Sequence, residues 1–143
     1  MPEVSIDASF SLKLVLDEPD RERVQRQWAT WRDAGYGFFV PWLWFFESHA
    51  TLRSRITTGE LDEAEAMRAW RALLGHGVSA VSPEGMFDRA WVLARELSQR
   101  RTYDMAYFAV AELLGCELWT ADKKVVNAAQ GRFPWLHYVD ELP

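Results

Sequence analysis

The stretch RRTYDMAYFAVAELLGCELWTAD, residues 100–122, carries an acid near each end, Asp104 and Asp122, with an apolar run between them. Its pattern predicts a helix from about Tyr103 to Leu114 and a strand over residues 117–120. A helix that leads back into a strand is the repeating step of a parallel sheet, in which each strand ends at the same edge and the following helix begins there. Ligands of such sheets bind at that edge. The two acids therefore sit at the ends of a buried helix–strand unit so that both reach one cleft.

Working outward, EVSID (residues 3–7) reads as a first strand ending on Asp7, and ASFSLKLVL as a short helix that stops before DEPD. A charged helix from about Asp20 to Ala34 presents Val24, Trp28 and Trp31 on one face and is closed by Gly35. GFFVP is a compact buried strand, and Pro41 suits the first turn of a helix from about Trp42 to Thr58. Asp62 opens an amphipathic helix through LDEAEAMRAWRALLGHG. VSAVS is a strand that leads through Pro83 to a helix from about Glu84 to Gln99. A helix from about Lys123 to Gln130 and an edge strand, LHYVD, complete the chain. Strands alternate with helices without repeat or linker, so residues 1–143 are expected to form one α/β domain, with a mainly parallel central sheet flanked by helices in three layers.

Composition narrows the function. The chain has 143 residues, of which 49% are apolar and 26% charged. No apolar run reaches the roughly 18 residues of a membrane span, and MPEVSIDASF lacks the basic start and apolar stretch of a secretory signal, so a cytoplasmic protein that does not engage a membrane is expected. The single cysteine, Cys116, has no Cys or His at ligand spacing and reads as a small buried residue. A net charge of −5 argues against gripping nucleic acid by bulk positive charge, so any such contact must come from local patches.

Four acids converge by topology. Asp7 ends the first strand and Asp122 follows the strand at 117–120, while Glu47 lies in the second turn of the helix after GFFVP and Asp104 opens the helix at 103–114. Carboxylates crowded at low effective dielectric need protons or bound cations to coexist, and hard oxygen ligands of this kind suit Mg²⁺ or Mn²⁺. Such a cluster can activate water and stabilise a pentavalent phosphate. Ser9 and Thr120 are placed to hydrogen-bond a carboxylate at the site. Asp7 and Asp122 also stand where an N-cap belongs, and Asp104 where a helix dipole favours negative charge. Glu47, inside the aromatic stretch FVPWLWFFESHATL, has no such easy structural explanation.

In IDASFSLKLVLDE, VPWLWFFESHATLR, TYDMAYFAVAELLG and LWTADKKVVNAA, the chain resembles the PIN-domain family, most closely VapC-type ribonuclease toxins of toxin–antitoxin systems. The motifs stand in the family's order and cover nearly the whole chain. The resemblance implies a parallel-sheet fold, Mg²⁺- or Mn²⁺-dependent cleavage of RNA, a homodimer, and a small antitoxin whose tail blocks the site. Carried over residue by residue, Asp7, Glu47, Asp104 and Asp122 correspond to the acidic quartet that holds metal and performs catalysis, and Thr120 to the hydroxyl residue of the last motif. One departure stands out: where relatives commonly have Asn three residues after the Glu, this chain has Ala50. His49 points about 200° around the helix from Glu47 and does not replace that amide.

Arg100 and Arg101 precede the Asp104 turn, and Lys123 and Lys124 follow Asp122, so these pairs are candidates for RNA phosphate contacts. Residues Trp42, Leu43, Trp44 and Phe45 cannot all share one helical face, which predicts exposed aromatics for base stacking or an apolar partner segment. A non-catalytic PIN-like module that binds RNA or protein is the alternative, motivated by Ala50. A haloacid-dehalogenase-like phosphatase would have an acid where Ser9 stands, and a receiver domain would need an Asp after a middle strand, where FFVPW has none.

Overall fold

The computed structural model describes residues 1–143 as alternating strands and helices. In chain order these are β1 (Glu3–Ile6), α1 (Ala8–Leu12), α2 (Arg21–Asp33), β2 (Gly37–Val40), α3 (Leu43–Thr57) and α4 (Glu63–Leu74). They continue as β3 (Ser79–Ala80), α5 (Met86–Glu96), α6 (Tyr103–Leu114), β4 (Glu117–Thr120), α7 (Lys123–Ala128) and β5 (Leu136–Tyr138), with a 3₁₀ turn at Val139–Glu141. The five strands form one sheet in the order β3-β2-β1-β4-β5, and every pairing is parallel. From β1 the chain steps outward to β2 and β3, then returns to place β4 on the other side of β1. The order therefore reverses between β1 and β4, and the carboxyl ends of those two strands open the crevice where α/β sheets bind ligands.

Strand alternation explains why both faces are covered. In the parallel register Val4 pairs with Phe38 and Ile6 with Trp119, which puts these side chains on one face. Phe10 of α1 and Trp31 of α2 pack on that face, with ring centroids 6.0 Å (Phe10–Trp119), 5.8 Å (Trp31–Trp119) and 6.2 Å (Trp31–Phe38) apart. Ser5 and Leu118 alternate to the other face. There α6 lies across β1, β2 and β4 with Met105, Phe108, Ala109, Val110 and Ala111 all fully buried. Its alanines allow the close approach that a helix needs to seat on a sheet. The Arg89–Glu112 pair, at 2.6 Å, joins α5 to α6 outside that layer.

Element ends depart from the sequence reading for local reasons. The helix expected through Leu16 stops at Leu12, because Lys13 and Leu14 donate back to Phe10 and Ser11 in the tighter i→i−3 pattern. Leu14 and Leu16 remain buried from that turn. The helix expected from Glu84 begins at Met86, since Gly85 sits at φ +84°, in the left-handed region. At the chain's end, α7 stops at Ala128, before Gln130 and Gly131 at φ +54° and +69°. The strand VSAVS contracts to two paired residues at the sheet margin.

Candidate functional site

Asp7 is built into the switch point from every side. It lies one residue beyond β1, its backbone N–H donates to the Trp119 carbonyl at 3.1 Å, and its side chain caps α1 by accepting from Phe10 N–H at 3.0 Å. Ser9 donates to Oδ1 at 2.6 Å and Thr120 to Oδ2 at 2.5 Å. Those two hydroxyls in turn accept backbone N–H groups, Ser9 from Ala121 at 2.9 Å and Thr120 from Asp122 at 3.0 Å. Each hydroxyl proton is thereby committed to Asp7, so the β4–α7 turn and the acid are locked together. Three of a carboxylate's roughly four lone-pair directions are filled, which leaves one for an outside ligand. Asp7 is only 7% exposed, and burial pushes its carboxyl up to about 6 in spite of these bonds and with a small contribution from the charge of Asp122.

A second hydrogen-bond chain fixes the helix that carries Glu47. Ser11 donates to the Asp7 carbonyl at 2.7 Å, and the buried Trp44 indole N–H donates to Ser11 Oγ at 2.8 Å. Trp44 thus pins the first turn of α3 to the end of β1, and Glu47 follows within one further turn. Glu47 Oε1 is buried without a hydrogen-bond partner. Burial raises its carboxyl to about 7, and the charges of Asp104, Asp7 and Asp122 push the same way. The Tyr107 hydroxyl opposes that rise from nearby, yet it closes no hydrogen bond and is itself a buried unpartnered group. Its own pKa lies well above the usual value, through burial and then the charge of Glu47.

The remaining two acids are more open. Asp104 stands in the first turn of α6, where the N-cap residue Thr102 makes no side-chain cap. As a residue it is exposed, but the protein bulk around its carboxyl, and then the charge of Asp122, raise its pKa. Asp122 caps α7 by accepting from Lys124 N–H at 2.9 Å. Capping and site placement therefore coincide at Asp7 and Asp122. Glu47 and Asp122 line one recess of about 290 Å³ with Ser9 and Thr51, and Ser9 ties that recess to Asp7 by its hydrogen bond.

The four acids influence one another's charge, but no three of the acid, His or Cys side chains are arranged to hold a metal ion as they stand. Their donor chemistry fits a hard divalent cation: an unpartnered buried carboxylate oxygen, a free lone pair on Asp7, and carboxyls whose pKa values are raised by burial and then by one another's charge.

The predicted phosphate contacts spread apart. Arg100 lines a separate cavity of about 250 Å³ with Trp91 and Gln99, and Arg101 is exposed. Lys123 lies over the Tyr138 ring at 5.1 Å, while Lys124 is exposed. His49 packs on Trp70 at 5.1 Å in the α3–α4 seam, away from Glu47 as its position on the helix predicts, and Ala50 is exposed. Among the aromatics of α3, Trp44 is buried whereas Trp42 and Phe46 are exposed at 65% and 79%. Trp42 joins Phe87, Trp91 and Tyr103 around an apolar groove of about 400 Å³. Sequence reasoning missed Ser11, Trp44 and Tyr107 as parts of the site. Tyr107 carried a readable signal, because it stands three residues from Asp104 and shares its helix face.

Comparison with known proteins agrees with this architecture. The chain is 30% identical over 134 residues to the VapC ribonuclease Mb0985 of Mycobacterium bovis and to ribonuclease VapC9 of Mycobacterium tuberculosis, covering 92% of this chain and 94% of each relative. Among solved structures it superposes on PAE2754 from Pyrobaculum aerophilum with a TM-score of 0.69 at 20% identity, over 97% of this chain and 92% of that one. The M. tuberculosis toxin VapC20 gives a TM-score of 0.65 at 18% identity, over 87% and 94%. Residues 4–131 match the PIN domain, a span that runs from β1 past the acid-bearing β4–α7 turn, and the chain belongs to that family.

Proposed function

We propose that this chain is a divalent-metal-dependent endoribonuclease and the toxin of a VapBC-type pair, with Asp7, Glu47, Asp104 and Asp122 as its catalytic, metal-holding quartet. The observation that carries the reading is the meeting of four carboxyls at the β1–β4 switch point with one buried oxygen, Glu47 Oε1, left unpartnered. Mg²⁺ or Mn²⁺ held there would supply a Lewis acid for a phosphoryl oxygen and make water a stronger nucleophile. Asp7 supplies a fixed anchor, because Ser9, Thr120 and Phe10 N–H hold both of its oxygens in place. Glu47 Oε1, buried and unpartnered, is the oxygen that Glu47 would turn to the ion. Asp104 and Asp122 complete the negative field from the starts of α6 and α7.

Partners follow from the same reading. RNA is the substrate, a small antitoxin and a second copy of the chain are the protein partners, and the cytoplasm is the compartment. The exposed ring of Trp42, Phe87, Trp91 and Tyr103 supports a protein contact, since aromatic side chains are enriched where partners dock. A non-catalytic PIN-like binding module is the second reading. It is favoured by Ala50 and by the open spacing of the acids.

RNA cleavage by the purified protein in Mg²⁺, in Mn²⁺ and in EDTA, beside Asp104→Asn, tests both. Cutting that needs metal and disappears in the variant is expected. Heat of Mg²⁺ binding with no cutting of any RNA would favour the binding module.

A further inference from the structure

The recess beside Glu47 and Asp122 has a second wall of opposite charge. Lys13 and Arg55 line it. Lys13 is the C-cap of α1, the five-residue helix that Asp7 caps at its other end. Arg55 is on α3, eight residues after Glu47, about 12 Å along the helix axis and on a neighbouring stripe. Thr51, one turn beyond Glu47, lies between them on the recess wall. Lys13 and Arg55 share this recess with Glu47 and Asp122, whereas Arg100 lines a separate cavity and Lys123 lies over the Tyr138 ring.

Both cations are held by one carboxylate. Glu18 accepts from Lys13 Nζ at 2.8 Å and from Arg55 Nη1 at 2.6 Å, with its own side chain only 18% exposed. The other acids nearby are weaker claims on the pair: Asp20 is 3.7 Å from Lys13 but 3.0 Å from Arg23, and Glu60 reaches Arg55 at 3.5 Å from an exposed position. Arg55 uses Nη1 for both of its acids, and its Nε and Nη2 carry no hydrogen bond. A guanidinium with two free donors, beside an ammonium, on the rim of an anionic catalytic recess is suited to a phosphodiester.

We propose that Lys13 and Arg55 bind an RNA phosphate beside the scissile bond, and that Glu18 orients the two cations while competing with that phosphate for them. This rests on the ribonuclease reading, which it deepens by assigning the backbone-gripping residues. They position substrate and touch no reacting atom, so their loss is read in binding and KM.

The test measures binding of a labelled single-stranded RNA to the full chain in EDTA and in Ca²⁺ at several salt concentrations, together with cleavage kinetics in Mg²⁺. Lys13→Gln and Arg55→Gln should each weaken binding about 5- to 20-fold and together lower the slope of log K against log salt by about 0.7, the share of one phosphate contact on a single strand. KM should rise with kcat held within about twofold. Glu18→Gln should tighten binding about threefold or more, and Lys13→Arg should bind like the parent. A purely structural ion pair would not give opposite signs from its two ends. Unchanged binding in both cation variants, weaker binding in Glu18→Gln, or a parent that binds no RNA would overturn the proposal. Were the two cation variants, Lys13→Gln and Arg55→Gln, to misfold, Glu18→Gln and Lys13→Arg would still decide it. Binding that shifts as expected in a protein that cuts nothing would sink the nuclease reading and keep the phosphate contact alone, without a scissile bond beside it; normal cutting with unaltered KM in both cation variants would keep the nuclease reading and sink the contact.

Discussion

The sheet half and the helix half of the acidic site are finished to different degrees. At the sheet edge, Asp7 accepts three hydrogen bonds, and the hydroxyls that serve it are themselves tied to the backbone of the β4–α7 turn. On the helices, Glu47 Oε1 and Tyr107 Oη are buried with no partner at all. An unsatisfied buried polar group costs about 1–3 kcal/mol, so Glu47 and Tyr107 carry a penalty that the Asp7 carboxylate avoids. The difference separates a half whose acid is held by three hydrogen bonds from a half whose acid keeps a buried oxygen without one.

The widest separation between the halves should be one of stability, with activity falling in both. Asp7→Asn and Asp104→Asn are each expected to slow RNA cleavage about 10³-fold or more, roughly 4 kcal/mol of barrier. Full cleavage by Asp104→Asn would break the comparison, because the helix half would then lie outside the site. In urea unfolding the halves should part: Asp7→Ala removes an N-cap and strands two hydroxyls, for a loss of about 2–4 kcal/mol, whereas Asp104→Ala at an exposed position should cost about 0.5 kcal/mol or less.

Stability against pH sharpens the same contrast. The folded-state carboxyls of Asp7 and Glu47 stand at about 6 and about 7, above their ordinary values of 3.8 and 4.5. Between those limits the folded protein holds protons that the unfolded chain has released, so stability falls as pH rises through the window. Without metal, unfolding free energy should drop on the order of 2 kcal/mol from pH 5 to pH 7, with partial solvent screening at Glu47 taken into account. Glu47→Gln should flatten the upper part of that slope, and Mg²⁺ should raise Tm more at pH 7.5 than at pH 5.5. A metal-free stability that climbs over this range would show that the acids are already compensated.

How much of this was legible beforehand depended on the kind of interaction. Parallel topology follows from strand–helix alternation, and the sheet is parallel throughout; the same topology predicts Asp7, Glu47, Asp104 and Asp122 at one edge, and in the structure the charges of Asp104, Asp7 and Asp122 all act on Glu47. Ser9 and Thr120 were readable because they lie within two residues of Asp7 and Asp122. The Ser11–Trp44 link was not, since it joins residues 33 apart in sequence through an indole that composition assigns to the core. Nor was the fate of Arg100, Arg101, Lys123 and Lys124, because long side chains choose among partners that only packing supplies. Lys13 and Arg55 lay outside every motif, and only the fold places them on the acids' recess.

The finest probe exchanges one hydroxyl on each side. Thr120→Val removes a donor to Asp7 and an acceptor for Asp122 N–H while keeping the side-chain shape, and should cost about 1–3 kcal/mol in urea. Tyr107→Phe removes a hydroxyl that bonds to nothing, and should leave metal-free stability within about 0.5 kcal/mol of the parent. If Glu47 turns toward an ion during catalysis, the Tyr107 hydroxyl gains a charged neighbour to donate to, and its loss then shows as a drop in kcat of about three- to tenfold. Equal destabilisation by the two substitutions would mean that the helix half is as fully bonded as the sheet half. A Tyr107→Phe protein that keeps both its stability and its kcat would place that hydroxyl outside the site and leave Glu47 as the unpartnered acid.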